Sequence, residues 1–161
     1  MCAAIGIAVV SFSPQDRWAL SDLVHRYAAG VDDRDIETVL QLFADDAELI
    51  LPEPPEVLTP VRSHRGPAAI ADALAAATGV GRTHHAIDSE VYTPESDDRV
   101  AHGRIGATAH HWSRRSPDDI ADVVWYLRYD DEYVRDGSSW VLRQRALTID
   151  AIETRSARRL R

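Results

Sequence analysis

The sequence predicts an α+β domain in which three N-terminal helices pack on a strongly twisted, mainly antiparallel sheet. Two observations carry this prediction. In the first half apolar residues recur every three or four positions, as in helices that bury one face, whereas in the second half they alternate with polar residues, as in half-buried strands. Short turn-forming sequences separate the alternating segments, so successive strands should pair as hairpins.

The first predicted helix carries an apolar stripe that stops directly before Asp32. Gly30 indicates that the helix ends nearby. Asp32 has two interpretations: it caps the next helix, as acids at helix junctions often do, or it points inward and needs a partner such as a histidine. The stripe consists of Ala19, Leu20, Leu23, Val24, Tyr27, Ala28 and Val31.

The next segment is predicted to hold a second helix, a short strand and a loop. Asp33 or Asp35 is the expected N-cap of the second helix. Residues 47–51 (AELIL) are a strand candidate, and the proline-rich sequence at 52–60 predicts an irregular loop, because proline disrupts backbone hydrogen bonding. Such a loop is either a cover over a site or an insertion. The apolar stripe of the second helix consists of Ile36, Val39, Leu40 and Phe43.

A third helix and four strands complete the prediction. Gly66 and Pro67 open the third helix, which ends near Gly79 and Gly81. Residues 82–92, 99–112, 121–135 and 139–149 then form four strands. The connecting sequences TPESDD, RRSPDD and RDGS are typical of hairpin turns, so these strands should form an antiparallel meander.

A chain of 161 residues fits one domain, which we place at residues 14–150. Residues 1–13 are predicted as an apolar N-terminal arm, since they lack the basic start and the cleavage site of a signal peptide and are too short to cross a bilayer. Residues 151–161 are predicted as a solvated tail.

The composition excludes several functions. A net charge of −8 disfavours a nucleic-acid partner, and all 18 basic residues are arginine, which excludes a Schiff-base or P-loop lysine. Cys2 is the only cysteine, which excludes an internal disulfide and fits a cytoplasmic protein. No spacing typical of metal ligands occurs, so no metal is expected. No cofactor and no membrane partner are expected either.

Four blocks of the sequence resemble the SnoaL-like branch of the NTF2-like superfamily: LVHRYAAGVDDRDIETVLQLFADDAEL, RGPAAIADAL, RTHHAID and RDGSSWVLRQRAL. The resemblance covers most of the chain and implies a cone-shaped α+β fold. This branch includes scytalone dehydratase, a bile-acid dehydratase, hexachlorocyclohexane dehydrochlorinase and polyketide cyclases. Several members use an aspartate-histidine pair as general base and need no cofactor.

The resemblance assigns Asp32 and one histidine of RTHHAID to this catalytic pair. His84 has the family's motif spacing, with an aspartate four residues later where members often have asparagine. Strand parity gives a different indication, because it places His85 on one face with Ile87 and Val91, and an apolar face should pack toward the helices. A bulge would reconcile the two. His84 is our first choice as catalytic residue, and His85 is then a pocket residue.

Two more residues are candidates for substrate binding. By the resemblance, His110 corresponds to a second pocket histidine of scytalone dehydratase; the alternative is a surface histidine or a partner for an acid. Tyr27 would offer its phenol to a substrate carbonyl, or it belongs simply to the core.

We therefore expect a cofactor-independent lyase or cyclase/isomerase of dehydratase type, acting on a mostly apolar cyclic or polyketide-like small molecule. The alternatives are a non-catalytic binding or dimerisation module of the same fold, or the small subunit of a ring-hydroxylating dioxygenase. Large apolar residues occupy both faces of strand 121–135, so a homodimer formed through the outer sheet face is also expected.

Overall fold

The computed structural model describes residues 12–77, 81–96, 98–116 and 119–158. Most of the predicted arm, residues 1–11 with Cys2, lies outside the described residues, as does Gly79. The elements follow in the order α1 (Pro14–Asp33), α2 (Ile36–Leu40), β1 (Phe43–Glu53), β2 (Val57–Arg65), α3 (Gly66–Ala77), β3 (Arg82–Pro94), β4 (Val100–Ser116), β5 (Asp119–Asp136) and β6 (Ser139–Ala157).

One six-stranded sheet carries the fold, with strand order β2-β1-β6-β5-β4-β3. The predicted meander is confirmed, since β3 to β6 pair antiparallel in sequence order. β1 pairs in parallel with β6, so the sheet is mixed. α1 packs against β3 and β6, and α3 packs against β1 and β2. We call the face of the sheet that contacts α1 the inner face, and the opposite face the outer face.

Three helices are present as predicted, but their grouping at the N-terminus is not confirmed. α3 follows the β1–β2 hairpin, and α2 is only five residues long. Phe43, which we assigned to the second helical stripe, is the first residue of β1. Its side chain is buried in the same core, which explains why an apolar residue at this spacing fitted a helical pattern.

α1 ends at Asp33, three residues after Gly30 and so near the predicted end, but the left-handed C-cap, with a φ of 60°, is Arg34 and not Gly30. Gly30 instead allows α2 to approach closely: a Cβ atom at Gly30 would lie 2.5 Å from Cγ2 of Val39. Asp35 caps α2, accepting a hydrogen bond of 3.1 Å from the Thr38 amide. The cap of α2 is therefore Asp35 and not Asp32.

The proline-rich segment 52–60 is not an irregular loop but part of the β1–β2 hairpin. Pro52 belongs to β1 at a register shift, and Pro60 belongs to β2, which is an edge strand. Proline lacks an amide donor and is tolerated at these two kinds of position, because no hydrogen bond to a neighbouring strand depends on that donor. The prediction that proline excludes regular structure here was therefore wrong.

The long strands extend beyond their predicted ends. β6 continues to Ala157, into the segment 151–161 that we predicted as a tail. In β5 the predicted alternation is confirmed from Tyr126 onward, because Leu127, Tyr129 and Tyr133 are buried in the core cluster while Tyr126, on the other face, is 41% exposed. Before Tyr126 it is not, because Val124, predicted on the same face as Tyr126, is completely buried. None of the described helices is both long and apolar enough to cross a membrane.

A buried ion pair lies at the centre of the inner face. Arg145 of β6 donates hydrogen bonds of 2.8 and 2.6 Å to the two carboxylate oxygens of Asp131 on β5, and both side chains are completely buried. The guanidinium packs over the rings of both Tyr27 and Tyr129, at 4.1 and 4.2 Å from their centroids. The hydroxyl of Tyr133 donates a third hydrogen bond to Asp131. This cluster joins α1 to the two central strands.

We expect Asp131→Asn to lower the free energy of unfolding by about 3–5 kcal/mol, because it leaves the Arg145 charge buried without a counter-charge. Urea unfolding followed by tryptophan fluorescence measures the change. The matched control is the double variant Asp131→Leu/Arg145→Met, which removes both charges and should recover most of the loss. A single variant as stable as the wild type would contradict this interpretation of the pair.

Candidate active site

Asp32 and His85 form a hydrogen-bonded pair on the inner face of the sheet. Asp32 lies in the last turn of α1, and its Oδ1 is 2.7 Å from Nδ1 of His85. The backbone amide of His85 donates a second hydrogen bond, also of 2.7 Å, to Oδ2. An ionised carboxylate only accepts hydrogen bonds, so Nδ1 of His85 carries the proton and Nε2 is left with its lone pair.

The structure pairs Asp32 with His85 and not with His84, the residue that motif spacing favoured. Nδ1 of His84 is 3.8 Å from Oδ2 of Asp32, and the His84 side chain is 59% exposed on the opposite side of β3. Strand parity had indicated His85, because alternate residues of a strand point to the same face. Val91, however, does not share the face of His85, since the register shifts between Ile87 and Ser89.

The pKa of Asp32 is lowered although the group is partly buried. Burial alone would raise the pKa of the carboxyl, but the side-chain and backbone hydrogen bonds of His85 outweigh that effect. Thr83, two residues before His85 on the same face, contributes a smaller lowering, although its hydroxyl makes no hydrogen bond of ordinary length. Asp32 therefore remains ionised and holds the imidazole of His85 in one tautomer and orientation.

His111 is a second histidine beside the pair, and the sequence analysis did not assign it a role. It lies opposite Thr83 in the β3–β4 register, so it shares the inner face with His85, and the two rings are 6.2 Å apart. Its Nδ1 donates a hydrogen bond of 3.0 Å to the carbonyl of Val123, and its ring packs 4.3 Å from that of Trp125. Burial lowers the pKa of His111. The neutral ring therefore presents Nε2 as an acceptor. The register of β4 could have identified it, given His85.

His110, which we proposed for substrate binding, lies on the outer face, away from Asp32. Its cross-strand partner is His84, and its Nδ1 bonds the carboxylate of Asp122 at 2.9 and 3.0 Å. Arg155 donates a further hydrogen bond of 3.2 Å to Asp122. Adjacent residues of a strand point to opposite faces, so His110 lies on the face opposite to His111. His110 is partner to an acid, which was the stated alternative.

Tyr27, the other candidate for substrate binding, is part of the core. Its ring is 5% exposed and makes edge contacts with Phe43 and Tyr129, while Arg145 covers its face. Burial raises the pKa of its phenol. The core interpretation is therefore the one that the contacts support.

The apolar wall of the site comes from β3 and β5. Ile87 and Trp125 are partly buried and pack against the core beside the two histidines. A cleft of about 510 Å³ lies elsewhere on the surface, beside the start of α1 and between Trp18 and Trp140. It shares no residue with the two histidines or with their apolar wall. Among the described residues, no group of three or more histidine, cysteine or acidic side chains is placed to hold a metal ion.

Comparisons with known proteins identify the fold. A family model described as a SnoaL-like domain matches residues 13–146. The chain is similar to the Kfla4162 protein of Kribbella flavida, with 24% identity, a TM-score of 0.72 and coverage of 86% of this chain and 93% of that one. A comparison with curated proteins finds no match.

Two further solved structures have names that describe a reaction. A candidate scytalone dehydratase of Novosphingobium aromaticivorans is 19% identical with a TM-score of 0.72, covering 89% of this chain and 90% of that one. Hexachlorocyclohexane dehydrochlorinase LinA-type3 of Novosphingobium barchaimii is 17% identical with a TM-score of 0.71, covering 88% of this chain and 94% of that one. At these identities the likeness establishes the shared fold.

We expect His111 to titrate below the ordinary histidine pKa of 6.5, because burial disfavours its charged form. Above that midpoint its proton should reside on Nδ1. Nitrogen-15 NMR of histidine-labelled protein measures both the tautomer and the midpoint. A midpoint at or above 6.5, or a proton on Nε2, would contradict the environment described for His111.

Proposed function

Since the chain belongs to the SnoaL-like branch of the NTF2-like superfamily, we propose that it is a cofactor-independent lyase or cyclase/isomerase of dehydratase type. Its substrate would be a mostly apolar, cyclic or polyketide-like small molecule. Asp32 and His85 are the proposed catalytic residues, with His85 as the general base. The apolar wall formed by Ile87 and Trp125 supports a substrate of this character.

The hydrogen bond between Asp32 and His85 is the observation that carries the proposal. A carboxylate on Nδ1 fixes the tautomer of the imidazole, leaves Nε2 to accept a proton, and stabilises the imidazolium that results. A binding module of the same fold has no need of an oriented base. The interaction therefore favours an enzyme over a non-catalytic pocket.

The proposed reaction begins with transfer of a proton from carbon to Nε2 of His85. The substrate carbon next to a carbonyl loses this proton, and the electron pair of the C–H bond moves into the enolate. In an elimination, that pair forms the new double bond while a C–O bond breaks. The imidazolium of His85 then returns its proton to the departing oxygen, which leaves as water. Asp32 stays ionised throughout.

The names of two solved structures are consistent with this chemistry. A dehydratase removes water and a dehydrochlorinase removes hydrogen chloride, and both reactions require loss of a proton from carbon. The proposal takes from them only this common step, the proton transfer. Which group leaves is a separate question.

We expect Asp32→Asn and His85→Gln each to lower the rate of proton transfer by about 10²–10⁴-fold while the fold is retained. In the first variant a neutral amide replaces the carboxylate and no longer stabilises the imidazolium. In the second variant an amide replaces the imidazole and cannot act as a base. The measurement is loss of deuterium from the α-carbon of cyclic ketones in water, followed by NMR, with circular dichroism to check folding.

His84→Gln is the matched control, since His84 is the adjacent exposed histidine and should give the wild-type rate. A His84→Gln protein that loses activity while His85→Gln keeps it would assign the base to His84 and contradict this proposal. Equal rates in all variants would remove the pair from the chemistry altogether.

The protein is also proposed to be a homodimer that associates through the outer face of the sheet. Val91 and Tyr126 are large apolar residues on this face, 61% and 41% exposed. The helices cover only the inner face, so a second copy is the simplest cover for the outer one. A stable interface would bury at least about 1,000 Å² in total.

Sedimentation at micromolar concentration tests the dimer. We expect a species of about twice the chain mass of 17.9 kDa. Replacing Tyr126 with glutamate should shift the equilibrium toward the monomer, because it places a charge in the proposed interface. A wild-type protein that sediments as a single monomeric species would exclude the dimer.

A further inference from the structure

Arg34 has an unusual backbone conformation for an arginine. It is the C-cap of α1, and its φ of 60° lies in the left-handed region. This region favours glycine, because a Cβ atom crowds the backbone there. Among the described residues, the other non-glycine residue with a positive φ is Asp98. Glycine would end the helix with less strain, so the reason for an arginine here lies in its side chain.

The side chain of Arg34 reaches the start of β3. Its Nη2 donates a hydrogen bond of 3.0 Å to the carbonyl of Gly81, the residue directly before that strand. Gly81 in turn lies close against β4, because a Cβ atom at this position would be 2.8 Å from the carbonyl oxygen of Trp112. The hydrogen bond therefore joins the end of α1 to a point that the sheet itself fixes.

Three polar contacts join α1 and its C-cap to β3 and the residue before it. Residue numbers in β3 fall as those in α1 rise, so the helix and the strand run antiparallel and the contacts follow one another along both. The Asp32 contact is the middle one and has another contact on each side. The three are His25 with Glu90 at 2.9 Å, Asp32 with His85 at 2.7 Å, and Arg34 with Gly81 at 3.0 Å.

The last turn of a helix is its least constrained part, because its carbonyl groups lack partners within the helix. Asp32 lies in that turn, and both of its hydrogen bonds to His85 are 2.7 Å long. Hydrogen bonds weaken steeply as their geometry is lost, so a small displacement of the turn would loosen both. The Arg34 contact restrains the turn from the side beyond Asp32.

We propose that Arg34 is a positioning residue for the proposed base. Through Gly81 it holds the last turn of α1 on the sheet, so that Asp32 stays aligned with the ring and with the backbone amide of His85. Arg34 takes no part in the proton transfer and acts through Asp32. This inference rests on the proposed function, and it accounts for an arginine where glycine would be less strained.

The variant Arg34→Gly separates positioning from stability, because it relieves the strained cap while removing the contact with Gly81. We expect the midpoint of thermal unfolding to stay the same or to rise. For deuterium loss from cyclic ketones, kcat should fall about tenfold with KM unchanged, because Asp32 is displaced and the substrate is not. In NMR spectra of the unliganded protein, the Nδ1 proton of His85 should move upfield and exchange faster with water, because its hydrogen bond to Asp32 is weakened.

Two further variants serve as controls. Arg34→Lys keeps the positive charge and a donor on a long side chain, so it should recover most of kcat and of the His85 signal. Asp98→Gly makes the same change of backbone at the other positive φ, in the connection after the far end of β3. It should leave kcat and the Nδ1 signal of His85 at their wild-type values.

An unchanged Nδ1 signal of His85 in Arg34→Gly would overturn the positioning role. A lower unfolding temperature in this variant would do so as well, because the contact would then serve stability, and so would failure of Arg34→Lys to recover the signal. The NMR measurement needs no turnover, so its failure differs from failure of the proposed function, which is judged by deuterium loss in the Asp32 and His85 variants.

Discussion

The buried pair of Arg145 and Asp131 is the interaction on which the arrangement of the site depends. It fixes β6 against β5, and the Tyr27 ring on the guanidinium fixes α1 above both strands. Asp32 follows Tyr27 by little more than one helical turn, so the contact that anchors α1 also sets the depth of the carboxylate. A buried charge pair contributes little net stability, but a mispaired one is costly, which disfavours other registers of these strands.

Most of the fold could be predicted from periodicity, and the errors have local physical causes. The stripe of α1 and the strand alternation each reflect burial of one face, which sequence spacing reports directly. The β1–β2 hairpin was missed because prolines usually interrupt strands, whereas here they occupy an edge strand and a register shift. The burial of Arg145 has no local signal, since an arginine on a strand usually reaches water.

The histidines of the candidate site could be predicted only to within one position along β3 and β4. Asp32 was assigned through the family resemblance, because its place at the end of a stripe left both capping and an inward-facing carboxylate open. The histidines depended on which face of β3 and β4 was inner. A shift of one residue exchanges His85 for His84 and His111 for His110, because the side-chain period of a strand is two. The register shift after Ile87 further separated Val91 from its expected face. The alternation of side chains along β3 was therefore a better guide to the histidine that bonds Asp32 than the family's motif spacing.

The sheet carries a second aspartate-histidine pair, and its surroundings differ from those of the first. On the outer face Asp122 shares its charge between His110 and Arg155, whereas Asp32 has His85 as its close partner and a further backbone donor from the same residue. A guanidinium beside the carboxylate weakens its hold on a developing imidazolium, since one negative charge then serves two cations. The two pairs are similarly buried, with side-chain exposures of 10% and 18% for His85 and Asp32 and of 20% and 6% for His110 and Asp122, so their difference lies in the partners of the carboxylate. The same two residue types thus hold a histidine with a free Nε2 on one face and form part of an ion cluster with an arginine on the other.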